Sequence, residues 1–448
     1  MTAVIECENN RDVTDTLRGA RVCASWAAAG LAPDYVVYER HGRWVYAGGS
    51  RASIMLRRNE IRTVTTDGER ASAWTGRPAQ ALAAALAGLG FSDWRAYGWL
   101  GFDFGSPGLG AGEHIDDAAV LAHLVVPKFE AWIDADGITF TGVDADTERR
   151  MRELAAVADH DDSVLARTVD VGVDDSGYRS IVADAIAEIR SGLYEKVILS
   201  RTIAVPFDVD IPRTYVRGRT ANNPARSFLF RMGGLEATGF SPELVGSVGV
   251  DRALVAEPLA GTRAFGRGPE LDRIAREDLV SDAKEIAEHA VSVRTSFAEV
   301  DGIAAPGTTA VTQFMVVRER GSVQHLASTV RGTLAPETDA WDGIEAVFPS
   351  VTASGVPKAE AVDAIYRLEG NSRGLYSGAV VTASSNGEVE AALALRTVFR
   401  EDGEAWIRAG AGIVAQSDPD REFEETCEKL ASVAPHLVER SIPGRQSA

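Results

Sequence analysis

Apolar β-type runs in this chain follow one another across turns too short to hold a helical crossover, and this restricts the fold more than any other feature. Tyr35-Val36-Val37-Tyr38 and Trp44-Val45-Tyr46-Ala47 flank the turn residues His41-Gly42. The runs from Ser227 to Met232 and from Leu235 to Phe240 flank Gly233-Gly234, a hairpin signal. Val245 to Val248 and Ala253 to Glu257 continue the series as a meander. Further runs stand at 323–330, 377–383, 389–397 and 404–409, and Lys196 to Val205 and Gly98 to Phe102 also read as strands. Two residues can join antiparallel strands, whereas parallel neighbours need a dozen or more. The pattern predicts a mainly antiparallel α+β fold and argues against a parallel nucleotide-binding sheet.

Helical periodicity fills some of the gaps. Ala79 to Leu89 reads as a helix closed by Gly90, and Asp144 to Val164 as a charged surface helix. Asp174-Asp175-Ser176 offers caps for a helix with Ile181, Ala185 and Ile189 at four-residue spacing, stopped by Gly192. Two longer helices are expected near 282–298 and 418–435. Residues 1–30 are Ala-rich and polar, and are expected to be loosely attached. With no Pro/Ser-rich linker, composition break or short repeat, residues 1–448 are expected to form one domain.

The formal net charge of −19 argues against nucleic acid and anionic membrane as partners. An anionic substrate would then need a local cation, a metal or aimed backbone N–H groups. Cys7, Cys23 and Cys427 are sparse and lack C-x-x-C spacing, which fits neither a disulfide framework nor a zinc site and suits a reducing cytoplasm. The N-terminus lacks a basic, then apolar, secretory pattern, and no apolar run reaches membrane-spanning length.

Two helical stretches carry paired carboxylates. Glu285 and Glu288 share a face beside the apolar stripe Ile286, Ala290, Val293 and Phe297. Glu422 and Glu425 repeat the spacing beside Phe423, Cys427 and Leu430, with Lys429 one turn on. Four carboxylates gathered beside a core would repel and call for a hard cation such as Mg2+. Spacing alone favours the simpler account of solvated faces laced with salt bridges. Lys196 opens a strongly apolar strand, where it is either a sheet-edge charge or a partly buried base. Glu243, in Ser241-Pro242-Glu243-Leu244, is a turn carboxylate or a general acid. His325 by default is a core or edge histidine. Glycine clusters at 259–262, 352–355 and 409–412 could bring N–H groups to an anion, yet none is a P-loop or dinucleotide fingerprint.

Taken together these segments go further. Lys196-Val197-Ile198-Leu199-Ser200-Arg201, Gly239-Phe240-Ser241-Pro242-Glu243, Glu257-Pro258-Leu259-Ala260-Gly261-Thr262-Arg263, Lys284-Glu285-x-x-Glu288-His289, Gln324-His325-Leu326, Leu375-Tyr376-Ser377-Gly378, Ala409-Gly410-Ala411-Gly412-Ile413 and Glu422-x-x-Glu425-x-x-x-Lys429 occur in this order. As a set, over about 173–437, they resemble the chorismate-binding enzymes: anthranilate, aminodeoxychorismate, isochorismate and salicylate synthases. The likeness extends toward the mycobactin-type salicylate synthases through Trp44-Val45, Trp74-Thr75-Gly76-Arg77-Pro78, Gly98 to Phe102 and the run from Val317 to Leu326.

The resemblance implies a single large domain of two mainly antiparallel sheets packed face to face with outer helices. It implies that Glu288 and Glu425 ligate Mg2+ directly, and Glu285 and Glu422 through water, so that the metal holds the ring carboxylate of chorismate. Tyr376, Arg396 and the backbone at Gly410 would hold the pyruvyl carboxylate, with Gly261, Thr262, His325, Thr352 and Lys429 lining the site. Lys196 would be the base that activates water for attack at ring C2, and Glu243 the acid that assists loss of the C4 hydroxyl. Elimination of pyruvate from the resulting isochorismate would give salicylate, for a siderophore or related product.

Anthranilate synthases that use ammonia typically carry Gln where this chain has Lys196, and aminodeoxychorismate synthases often carry a nucleophilic Lys where it has Ala260. Water is therefore the expected nucleophile, no glutaminase subunit is needed, and a cytoplasmic monomer is expected. Relatives usually carry Asn-Ser where this chain has Asp282-Ala283, an extra carboxylate near the metal that is expected to alter affinity without abolishing the site. The rival readings are an isochorismate synthase that stops after the first step, and a non-catalytic anion-binding protein on the same fold.

Overall fold

In the computed structural model, residues 17–158 and 166–440 are described, and among them every ladder between strands is antiparallel. The short turns account for this directly. His41 and Gly42 both have positive φ (52° and 72°), the two-residue turn whose twist matches that of its flanking strands Tyr35–Arg40 and Arg43–Gly48.

The described strands form two sheets. Across the first, Gly355–Val356, Lys196–Val205, Glu404–Ile413, Thr397–Glu401, Leu235–Ser241, Arg226–Met232, Tyr35–Arg40, Arg43–Gly48, Phe129–Asp134 and Gly137–Thr141 lie in that order. The second runs from Leu259–Ala264 through Val323–Thr333, Ala253–Ala256, Leu244–Val248, Val389–Leu393, Ala379–Ser384, Arg95–Leu100, Val120–Val126, Ala52–Arg57 and Glu60–Thr65 to Gly68–Ala73, with Ala310–Arg320 paired to Val323–Thr333. Strands of the N-terminal half are thus built into both sheets.

Tyr38, Val45, Trp99, Phe228, Phe230 and Phe399 interdigitate between the sheets. Helices Pro78–Ala87, Ala283–Asp301 and Ala340–Val347 cover the far face of the second sheet over Leu56, Leu254 and Val330. Helices Arg18–Ala28 and Ile211–Ala221 cover one part of the first sheet's outer face, and Tyr178–Arg190, Lys358–Glu369 and Pro419–Leu430 the other. The result is the expected α+β arrangement of two face-to-face antiparallel sheets with helices outside. No helix among the described residues is long and apolar enough to cross a membrane.

Three expectations need correction. Residues 18–28 are not loosely attached: Val22, Cys23 and Trp26 are fully buried, and Trp26 Nε1 donates to the Met151 carbonyl at 2.9 Å. Its small residues, which read as a weak pattern, are what allow close approach, since a side chain at Gly19 would strike the Trp44 ring. Residues 1–16 lie outside the described residues. The charged helix is shorter than expected, Ala145–Ala156, and 159–165 also lie outside them.

The third correction positions the site. The runs after Leu235 do not continue as one meander. Leu235–Ser241 belongs to the first sheet and Leu244–Val248 to the second, so the chain crosses between sheets at Pro242-Glu243. The expected strand 389–397 divides in the same way, into Val389–Leu393 and Thr397–Glu401, crossing at Ala394-Leu395-Arg396 with Arg396 at φ 52°. The crossings are tied together, because Leu393 N donates to the Glu243 carbonyl at 3.1 Å and Phe240 N to the Arg396 carbonyl at 3.2 Å. Each carries a residue assigned to the site.

Candidate active site

The two crossings, the strand Lys196–Val205 and the N-terminal part of the helix Ala283–Asp301 enclose a cavity of about 1050 Å³, counted with its open mouth. Lys196, Glu243, Gly261, Thr262, Glu285, Glu288, His325, Thr352, Tyr376, Arg396, Gly410, Glu425 and Lys429 all line it. Of the residues expected at the site, Glu422 alone stands behind the wall, 1 % exposed, 3.6 Å from the lining Lys284.

Strand register explains one wall. Ile198 and Ser200 are directly opposite Gly412 and Gly410, so Lys196, Ile198 and Ser200 share a face with both glycines. A β-carbon at Gly412 would lie 3.0 Å from Glu288 Oε1 and 3.2 Å from the Lys196 stem, so glycine leaves room where these two meet. Lys196 Nζ donates to Glu288 Oε1 at 2.8 Å, and the lysine side chain is 3 % exposed. The sheet-edge account of Lys196 therefore fails, for the short strand Gly355–Val356 lies outside it.

Glu243 is buried at its crossing. Its Oε2 accepts from Leu259 N at 2.8 Å and its Oε1 from the Thr352 hydroxyl at 2.6 Å. Burial pushes its carboxyl up to about 8, against the opposing pull of those two hydrogen bonds. A carboxyl raised in this way tends to keep its proton toward neutral pH.

The four metal-motif glutamates sit on two helices, each with a basic partner. Glu285 Oε1 pairs with Arg263 Nη1 at 2.8 Å and its Oε2 accepts from Thr262 N at 3.0 Å. Glu288 has Lys196, and Glu425 has Lys429 at 2.8 Å. Burial pushes Glu425 up, but Lys429 brings it below the usual carboxylate range. Glu422 faces Lys284 at 3.6 Å, its Oε1 without a hydrogen-bond donor, and burial followed by the charge of Glu425 holds its carboxyl above the usual range. Among the described residues no three His, Cys, Asp or Glu side chains are gathered closely enough to ligate one ion. The expected mutual repulsion is thus relieved by four basic side chains. The donor set still suits a hard divalent cation: it is all carboxylate oxygen, and one buried oxygen lacks a partner. Asp282 is not an extra carboxylate at this cluster. Its Oδ1 caps the helix through Lys284 N and Glu285 N, and its Oδ2 pairs with Arg263 at 2.6 Å.

Another part of the cavity lining is basic, with Arg396, Arg408 and Lys429. Arg396 Nη1 donates to the Arg320 carbonyl and its Nη2 to His325 Nε2, both at 2.8 Å. Lys429 Nζ, besides pairing with Glu425, donates to the Gly410 carbonyl at 2.8 Å. The guanidinium groups of Arg408 and Arg373 lie 5.2 and 5.7 Å from the centroid of the Tyr376 ring. Both arginines are fixed by the buried Glu369, each at 2.6 Å.

Sequence reasoning assigned no role to Arg263, Lys284 or Arg408. Arg263 and Lys284 lie inside the family motifs, and their acidic neighbours are the signal the sequence offers. Arg408 falls on the same strand face as Gly410 and Gly412, an alternation that marks it as facing the cavity side.

The model of the chorismate binding enzyme family matches residues 35–435. The chain belongs to this family. It is 50% identical over 408 residues to a salicylate synthase of Mycolicibacterium paratuberculosis, covering 91% of this chain and 90% of that protein. Among solved structures it resembles anthranilate synthase component I of Streptococcus pneumoniae, with TM-score 0.70, 25% identity and coverage of 88% and 92% of the two chains. It also shares the fold of the menaquinone-specific isochorismate synthase of Escherichia coli, with TM-score 0.70, 20% identity and coverage of 96% and 92%. The family match reaches well into the N-terminal half, where the two sheets also take their strands.

Proposed function

We propose that this family member is a salicylate synthase, converting chorismate through isochorismate to salicylate and pyruvate with Mg2+ as cofactor. The observation that carries the reading is the meeting of Lys196, Glu243 with its raised carboxyl, and Glu285, Glu288 and Glu425 in one cavity, with Glu422 behind its wall, in a chain half identical along most of its length to a salicylate synthase.

Lys196 takes a proton from water as the water oxygen bonds to ring C2. The ring double bonds shift, the C4–oxygen bond breaks, and Glu243 gives its proton to the departing hydroxyl, which leaves as water. To act as base, Lys196 must exchange its hydrogen bond with Glu288 and present a lone pair. A base and an acid held apart on different elements suit addition on one side and departure on another. In the second step the ether bond between ring and enolpyruvyl group breaks. The C2 hydrogen passes to the enolpyruvyl methylene, pyruvate leaves and the ring becomes aromatic. That step asks for a fixed conformation, which Arg396 and Tyr376 supply by holding the pyruvyl carboxylate. Bound through Glu288 and Glu425, Mg2+ would supply positive charge for the ring carboxylate.

With water as nucleophile the scheme uses no glutaminase subunit, and we propose a cytoplasmic monomer that feeds siderophore or related biosynthesis. The test is a time course with chorismate and Mg2+, following salicylate fluorescence and pyruvate together. Equal amounts of both, with isochorismate only transient, are expected. Isochorismate rising to equilibrium without either product would make the protein an isochorismate synthase, and no turnover at all would make it a binding protein.

A further inference from the structure

Three of the four glutamates have a basic group within 2.8 Å, but Glu422 does not. Its side chain is 1 % exposed and its Oε1 has no hydrogen-bond donor. The nearest cation is the Lys284 ammonium, 3.6 Å away and outside hydrogen-bond range. Lys284 is also the ammonium on which the charges of Glu422, Glu285, Glu288 and Glu425 all act.

The three lysines of the cluster differ in their freedom to leave. Lys196 is 3 % exposed and lies within a sheet, and Lys429, 28 % exposed, is held by both Glu425 and the Gly410 carbonyl. Lys284 is 41 % exposed and reaches the cluster on a flexible stem from the first turn of its helix. An ammonium and a divalent cation repel each other strongly at short range, so Mg2+ held by Glu288 and Glu425 and the Lys284 ammonium drawn to the same four carboxylates oppose one another.

We propose that Lys284 is an internal competitor for the divalent cation: its ammonium neutralises the carboxylate cluster through Glu422, and Mg2+ binds by displacing it toward solvent. The proposal rests on the metal reading above. Lys284 then sets how much Mg2+ the site requires, and with the Ser417 hydrogen bond it offsets the buried charge of Glu422. The two ions are linked by ordinary competition, so removing one strengthens the other.

Calorimetric titration with Mg2+ of the wild type, Lys284→Met and Glu288→Gln tests this. Lys284→Met should bind Mg2+ about tenfold tighter or more, since a nearby positive charge is gone, while Glu288→Gln should bind more weakly. Acylation of Lys284 in the wild type, read by mass spectrometry, should rise when Mg2+ is added, a measurement independent of how any variant folds. Normal Mg2+ binding by the wild type with equal or weaker binding by Lys284→Met, or protection of Lys284 from acylation, would overturn the competitor role and leave the metal site standing. Absence of Mg2+ binding by the wild type would remove the metal reading and the competitor role with it.

Discussion

Arg396 Nη2 lies 2.8 Å from His325 Nε2, and because a guanidinium only donates, that ring nitrogen must be an acceptor. The ring proton is therefore on Nδ1, directed at the Gly261 carbonyl and at Thr262 Oγ1, 3.1 Å away. Burial, then the charges of Arg396 and Lys429, hold this histidine well below its ordinary value. His325 is thus a neutral acceptor that positions Arg396.

Replacement of His325 by Ala should accordingly raise KM for chorismate more than it lowers kcat. A hydrogen bond to a charged group is worth about 1.5–3 kcal/mol, or about 10–100-fold in KM. His325→Gln, which keeps an acceptor, should recover part of the loss. The wild-type KM should show no ionisation near pH 6.5. A dominant fall in kcat with unchanged KM would assign His325 to the chemistry instead.

Metal dependence should be graded along the glutamates. A chelator should abolish turnover and Mg2+ should restore it. Glu285 is already engaged by Arg263 and Thr262 N, which suits an outer position. Glu285→Gln and Glu422→Gln should therefore cost about 10–100-fold in Mg2+ affinity, the usual cost of an outer partner. Glu288→Gln and Glu425→Gln should cost more. Equal effects in a calorimetric titration would remove the distinction.

Asp282→Asn tests whether the departure from the relatives' residue touches the metal. Asn keeps the helix cap and loses only the partly exposed ion pair with Arg263. Mg2+ affinity should change by less than about threefold, in line with the ≲1 kcal/mol of an exposed pair. Asp282→Ala removes the cap as well and should lower stability by about 1 kcal/mol, read from chemical denaturation.

Much of this arrangement is legible in the sequence, but unevenly. The strand Lys196–Val205 and the hairpin at Gly233-Gly234 were clear, because β-branched runs and positive-φ turns are local signals. Sheet membership was not. Alternation says which residues share a face, not which sheet a strand joins, and so the crossing at Glu243 reads as a turn within one meander and that at Arg396 as continuous strand. Ala310–Arg320 is mostly solvent-facing and offers no apolar alternation to detect. At the site, ordered motifs named the residues that meet. They could not name the pairings Lys196–Glu288, Arg263–Glu285 and Lys284–Glu422, since ion pairs distant in sequence leave no local pattern.

Glu243 should link catalysis to stability. Its carboxyl ionises at about 8 in the folded chain and near the ordinary glutamate value when unfolded. The folded state therefore holds a proton that the unfolded state has lost, and its stabilising share is complete below the unfolded value. That share shrinks as pH rises and is gone above about 8, a swing of up to about 5 kcal/mol. Two measurements follow. The first chemical step should fall as pH passes about 8, as the acid loses its proton, and Glu243→Gln should slow that step by about 10²–10⁴-fold. Thermal melting of the wild type should drop between pH 5 and 8, whereas Glu243→Gln, having nothing to ionise, should melt with a flatter profile and be the more stable protein at pH 8. Parallel melting profiles for the two proteins would mean that Glu243 ionises normally and is not the acid.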